Sequence, residues 1–93
     1  MRNGQTDRTA MSDLESAESR ATSLRDSVTE SERVLHDERL KFEAGRSIIN
    51  FVLDAEAAVL TNQSLLSQAE RSVSIAALVL DLSVGRLEPD NLP

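Results

Sequence analysis

Apolar side chains recur every seven residues along most of the chain, in two rows offset by three residues. In the first half the rows are Leu14, Ala21, Val28, Leu35 and Phe42, and Ala10, Ala17, Leu24, Ser31 and Glu38. Residues at this spacing share one side of a helix, so the pattern predicts a long helix that packs along another helix. The second row becomes polar at Ser31 and Glu38, which indicates a wetter contact near that end.

The same spacing resumes after Ser47, with small residues prominent in one row. The rows here are Val52, Val59, Leu66, Val73, Leu80 and Leu87, and Ala55, Asn62, Ala69, Ala76 and Ser83. This helix also carries a further apolar edge, formed by Ile49, Leu53, Leu60, Ile75, Leu78 and Leu82. A two-helix contact needs one stripe on each helix, so we expect additional helices, from the same assembly or from a partner, to cover the surplus.

Gly45 interrupts the two patterns. Glycine readily adopts the left-handed conformation that ends a helix, and Ser47 is expected to cap the next helix by accepting a backbone N–H. A connection this short makes the helices antiparallel neighbours. A capping box at Ser12 to Glu15 predicts where the first helix begins. The predicted organisation is an all-α, antiparallel two-helix coiled-coil hairpin over 12–88, with an unstructured or frayed segment at 1–11, a helix at 12–43, a turn at 44–47, a helix at 48–84 and a tail at 89–93.

Composition excludes several classes of function. The 93 residues contain no cysteine and one histidine, so neither a disulfide framework nor a thiolate metal site is expected. A net charge of −6 with two aromatic residues argues against a nucleic-acid partner. There is no cysteine nucleophile, no glycine-rich phosphate loop and no convergent acid–base pair. We therefore expect no enzyme activity, no cofactor and no metal.

Membrane and targeting signals are also lacking in the sequence given. The segment from Met1 to Ser12 is polar, whereas a secretory signal needs an apolar run of about 7–15 residues. The most apolar run, 73–84, is shorter than the roughly 20 residues that span a bilayer. On these grounds the chain alone is expected not to cross a membrane, and to stay in the cytoplasm if expressed by itself.

Two segments resemble a known family. Phe42 to Glu56 reads FEAGRSIINFVLDAE, and Leu80 to Leu87 reads LDLSVGRL. Both are similar to segments of TolC-like outer-membrane efflux proteins, in which an aromatic residue precedes a glycine by three positions and a Val-Leu-Asp-Ala-like segment opens a long helix. The similarity in kind and spacing extends from about Leu24 to Leu87.

The resemblance implies a fold, partners and site residues. It implies that the chain is the last coiled-coil hairpin of a trimeric α-helical barrel in the periplasm, part of an outer-membrane channel for multidrug efflux or type I secretion. The turn would dock against a periplasmic adaptor (membrane fusion) protein that serves an inner-membrane pump or exporter. The implied adaptor-contact residues are Phe42, Gly45, Arg46 and Ser47, and Asp54 would face the pore, where threefold repetition makes an acidic ring.

The chain departs from the family at defined positions. The best-known members carry tyrosine at the position of Phe42, arginine at that of Ser47 and an acid at that of Phe51, so a more apolar entrance is expected here. The family has two structural repeats and membrane strands, and one hairpin is therefore expected to be a fragment or truncated frame. The alternative is a free-standing coiled-coil interaction module, such as a cytoplasmic homodimer that closes as a four-helix bundle. A continuous helix through Gly45 would exclude the channel hypothesis.

Overall fold

Two helices make up nearly all of the described chain. The computed structural model describes residues 3–86, with α1 at Asn3–Glu43 and α2 at Ile49–Arg86. No strand occurs within these residues, and the predicted all-α helical hairpin is confirmed. The chain divides into two compact units, a first unit with residues 3–21 and 69–86 and a second unit with residues 22–68. Each unit contains part of both helices.

The predicted seven-residue rows form the helix contact in both units. The buried residues of the first unit are Ala10, Ala21 and Ala69, and those of the second unit are Ser31, Val52, Ala55 and Val59. All seven belong to the rows, and the remaining described members of the rows are half-buried except Phe42. Ser31, the polar row member, donates its hydroxyl to the carbonyl of Val28 at 3.0 Å, so its burial leaves no orphaned polar group.

The core of each unit is thin. Valine is the largest buried residue anywhere between residues 8 and 85, and no large side chain there is fully enclosed. The further apolar edge of α2 lies outside the helix contact, with Leu60 66% exposed in the second unit and Leu78 58% exposed in the first. Burial contributes stability roughly in proportion to apolar area, so much of the apolar surface of α2 adds nothing to the hairpin itself.

The N-terminal prediction is wrong for residues 3–11. They are helical, and α1 begins at Asn3 rather than at Ser12. The capping box is a local preference of about 1 kcal/mol, whereas packing can extend a helix past such a signal. Ala10 supplies that packing, since it continues the seven-residue row and is 4% exposed. Residues 1 and 2 lie outside the described residues.

α1 ends at Glu43, the predicted position, whereas the two bounds of α2 differ from the prediction by one or two residues. α2 begins at Ile49 rather than 48 and extends to Arg86 rather than 84, so Gly85 lies inside the helix. The predicted tail at 89–93 and the row residue Leu87 lie outside the described residues. Within the part of the chain that is described, neither helix has a stretch long and apolar enough to cross a bilayer.

Candidate functional site at the hairpin turn

The turn between α1 and α2 is built on Gly45. Its φ is +75°, the left-handed conformation predicted for it. The N–H of Arg46 donates to the carbonyl of Lys41 at 2.8 Å, and the N–H of Gly45 donates to the carbonyl of Phe42 at 3.0 Å. These two bonds make a Schellman motif, which satisfies carbonyl groups that the end of α1 would otherwise leave unpaired. The backbone of the turn is therefore fixed by its own hydrogen bonds.

Ser47 does not cap α2 in the predicted way. Its hydroxyl donates to Oε1 of Glu38 at 3.4 Å, across the turn, instead of accepting the N–H of residue 49 or 50. α2 starts instead with the N–H of Phe51 donating to the carbonyl of Ile48 at 3.1 Å. The hydroxyl of Ser47 lies toward Glu38, and at this distance the hydrogen bond between them is weak.

Glu38 is the residue at this site that sequence reasoning undervalued. It entered the pattern only as a polar break in an apolar row, yet its side chain is 22% exposed and lies 3.6 Å from Nζ of Lys41. The signal that could have found it is an acid in a contact row, with a lysine three residues later and a serine in the turn that follows. The carboxylate connects the end of α1 to the turn.

One ion pair joins the two helices near the turn. Nη2 of Arg39 lies 3.0 Å from Oε2 of Glu56, and both side chains are about half exposed. Such exposed pairs contribute about 1 kcal/mol or less. The pair and the Ser47–Glu38 bond are weak contacts between α1 and the residues that follow Gly45.

A second group of charges lies further along α1. The guanidinium of Arg33 bonds both Glu30 and Asp37, the latter at 3.0 Å. The side-chain hydrogen bond from Arg33, together with its positive charge, lowers the pKa of Glu30 below its ordinary value, and the same contacts raise the pKa of Arg33. Both groups are at the surface, so this cluster stabilises the helix locally and offers no reactive acid or base.

Large apolar side chains surround the turn. Both aromatic residues of the chain are here, with Phe42 41% and Phe51 54% exposed, and Ile48, also next to the turn, is 56% exposed. Leu40, Ile49 and Leu53 are likewise about half exposed. Exposed aromatic and aliphatic side chains with charged residues such as Arg46 beside them are typical of protein-docking surfaces. We refer to Phe42, Gly45, Arg46, Ile48 and Phe51 as the turn surface.

The two other sequence-predicted site residues are also accessible. The side chain of Arg46 is exposed, while its backbone N–H takes part in the Schellman motif. Asp54 is exposed on α2, and no ion pair joins it to another described residue. The structure thus brings Phe42, Gly45, Arg46 and Ser47 together around the turn and leaves Asp54 free on the surface of α2.

Each unit has an open groove along the helix contact. The groove of the first unit has a volume of about 430 Å³ and that of the second about 470 Å³. Alanine and serine residues form most of the lining of the first groove, which therefore suits the approach of another helix, and half of the lining of the second, where Asp26, Glu30 and Asn62 add polar groups. No group of three or more metal-ligating side chains converges within the described residues.

Comparison with known proteins gives no relative for this chain: no protein-family model, curated protein or solved structure matches it.

Proposed function

We propose that the chain forms one periplasmic helical hairpin of a TolC-like outer-membrane channel for efflux or type I secretion. In this proposal the turn surface docks an adaptor protein that serves an inner-membrane pump or exporter. Neighbouring hairpins, in a trimer of the whole channel, complete the wall of the duct. The chain has no catalytic part in this function and needs no cofactor.

The observation that carries the proposal is the position of the resembling segment. Phe42 to Glu56 could have lain within one continuous helix, which would have excluded a docking turn. Instead the chain reverses at Gly45, in a turn that its own hydrogen bonds fix. The side chains that a partner could contact, above all Phe42 and Arg46, are accessible there.

The uncovered surface of α2 supports the same proposal. An apolar edge that includes Leu53, Leu60 and Leu78 stays exposed in the hairpin, although it is the kind of surface that helices normally bury. The wall of a helical duct supplies neighbouring helices on both sides of each hairpin. The small residues in the helix contact, such as Ala55 and Ala69, allow the close helix spacing that such a wall needs.

A chimeric channel tests the proposal. Residues 14–87, which include the resembling stretch and the part of α1 before it, replace the matching hairpin of a full-length TolC-like channel, and efflux is measured as drug resistance of a strain that lacks its own channel. We expect assembled trimers that restore resistance, and we expect Phe42→Asp to abolish it because a charge at the docking surface must lose its hydration on contact. Ser23→Asp is the control, since it adds the same charge at an exposed position on α1 away from the turn.

The outcomes of the chimera experiment separate the parts of the proposal. Chimeras that fold as hairpins but fail to assemble trimers contradict the role in the duct wall. Trimers that assemble without restoring resistance, or that keep full resistance with Phe42→Asp, contradict docking through the turn surface.

Asp54 is proposed to face the entrance of the duct. Three copies of an exposed carboxylate around a narrow opening attract cations and repel anions. Replacing Asp54 with alanine in the chimeric channel is expected to reduce its preference for cations several-fold, measured as the reversal potential of single channels in a salt gradient. Asn50→Ala, which changes a neighbouring exposed polar residue without altering charge, should leave the preference unchanged. An unaltered reversal potential with Asp54→Ala would remove the carboxylate from the entrance.

A second candidate function is a free-standing coiled-coil interaction module that closes as a homodimer. The thin core favours it, because a hairpin whose largest buried residue is valine gains stability when a second hairpin covers its exposed apolar surface. This candidate makes no use of the turn surface. Loss of resistance with Phe42→Asp in the chimera therefore supports the channel over the module.

A further inference from the structure

The groove of the first unit has a lining that complements itself. Ala17 on α1 and Ala69 on α2 are among the small residues of the groove, and Ser72 and Ile75 lie along α2 within it. Two opposite charges, Asp13 and Arg20, also line it on α1. Both charged side chains are exposed, and no ion pair joins either of them to another residue in the described range.

We propose that this groove binds the same groove of a second copy of the chain. The two copies are related by a two-fold axis perpendicular to the helices, so that each α1 lies antiparallel to α1 of the other copy. The axis passes at the level of Ser16 and Ala17. Such a contact is isologous, meaning that both copies contribute the same surface.

Charge complementarity selects this arrangement. Asp13 and Arg20 are seven residues apart and so lie on one side of α1, two turns from each other. A two-fold axis midway between them places Asp13 of each copy opposite Arg20 of the other, which makes two ion pairs at once. A two-fold axis parallel to the helices would instead set α1 against α2 of the other copy and leave both charges without these partners.

The α2 side of the groove agrees with the same axis. Ser72 and Ile75 are placed symmetrically about a point between Val73 and Ser74. The register of the seven-residue rows places Val73 beside Ala17, so this point lies at the level of the axis. The axis that pairs Asp13 with Arg20 therefore also sets Ser72 of one copy opposite Ile75 of the other. On each side of the axis the small Ser72 of one copy then packs against the large Ile75 of the other. Ile75, which is 57% exposed in the single hairpin, becomes covered.

This pairing does not rest on the proposed channel. It concerns the first unit of the free chain, whereas the channel proposal is tested at the turn, in the second unit. The pairing supplies the contact that the second candidate function requires.

Charge-reversal variants of the full chain test the pairing, with association measured by sedimentation equilibrium. We expect the unaltered chain to be a dimer. Asp13→Arg and Arg20→Asp should each weaken self-association about tenfold or more, because each replaces two attractive pairs with two repulsive ones. An equimolar mixture of the two variants should form a heterodimer of restored affinity, since every pair in it is again of opposite charge. The double variant should also dimerise.

Two controls separate local pairing from net charge and folding. Glu15→Arg and Arg8→Asp make the same changes of net charge at exposed residues outside the groove, and they should leave the affinity unchanged. Helical content by circular dichroism, measured for every variant, identifies any that fail to fold. A monomeric unaltered chain, which would leave the groove to a different protein, overturns the proposal. So do single variants that dimerise as tightly as the unaltered chain, or a mixture of well-folded variants that forms no heterodimer.

Discussion

Replacing Gly45 with valine is expected to lower the free energy of unfolding by about 1–2 kcal/mol, because a residue with a Cβ atom resists the left-handed conformation. The φ of +75° is needed for both hydrogen bonds of the Schellman motif. A β-branched residue tolerates this region least. For a chain of this size, each kcal/mol corresponds to a shift of roughly 4–8 °C in Tm. Thermal unfolding followed by circular dichroism, at one fixed protein concentration, measures the effect.

Gly85 provides the matched control for this substitution. A Cβ atom placed on either glycine meets no other atom within 4 Å, so the two sites differ in backbone conformation and not in space. Gly85 lies within α2, where replacement by valine is expected to leave the Tm unchanged or slightly raised, because glycine is the less favourable of the two residues inside a helix. Gly45→Val with an unchanged Tm would show that the turn does not need its left-handed glycine.

Replacing Ala69 with leucine is expected to cost about 1–3 kcal/mol, because the added atoms have no room in the helix contact. Ala69 and Ala21 are each 1% exposed, the lowest values among the described side chains. The register of the rows places them in one layer, so the helix backbones come close together there. A leucine at this layer forces the helices apart. Urea unfolding, with the midpoint and slope compared between variants, measures the loss.

Ser74→Leu is the control for that prediction, since it adds a leucine to the exposed side of α2 in the same unit. It should leave the midpoint nearly unchanged. Equal stability of Ala69→Leu and the unaltered chain would mean that the small residues of the contact do not set the helix spacing.

The helix contact could be predicted from the sequence because one physical rule dominates it. Residues repeated every seven positions share a face, and burial of that face decides where the helices meet. Even Ser31, which looked like a weak point of the pattern, is buried at its row position. Gly45 could be predicted as the turn for a similar reason, because few residues other than glycine adopt a positive φ at the end of a helix.

Helix ends and side-chain partners were harder to predict from the sequence than the helix contact. α1 begins before Ser12 because the packing of Ala10 outweighs the capping box. The residues around Ser12 do not by themselves show which of these two effects is the stronger. Ser47 illustrates the second difficulty. Its partner, Glu38, is nine residues away, and only the path of the chain around Gly45 brings the two together. The exposure of Phe42, at the end of its row, likewise reflects the point where the helix contact stops.

Crosslinking in the chimeric channel tests docking through the turn surface most directly. A photoreactive amino acid at position 46, where Arg46 is exposed beside the turn, is activated in cells that contain the adaptor and pump. The same amino acid at position 23, exposed on α1 away from the turn, serves as the control. We predict a covalent product with the adaptor from position 46 and none from position 23. Assembled trimers that give no adaptor product at position 46, or equal product at both positions, would contradict the account.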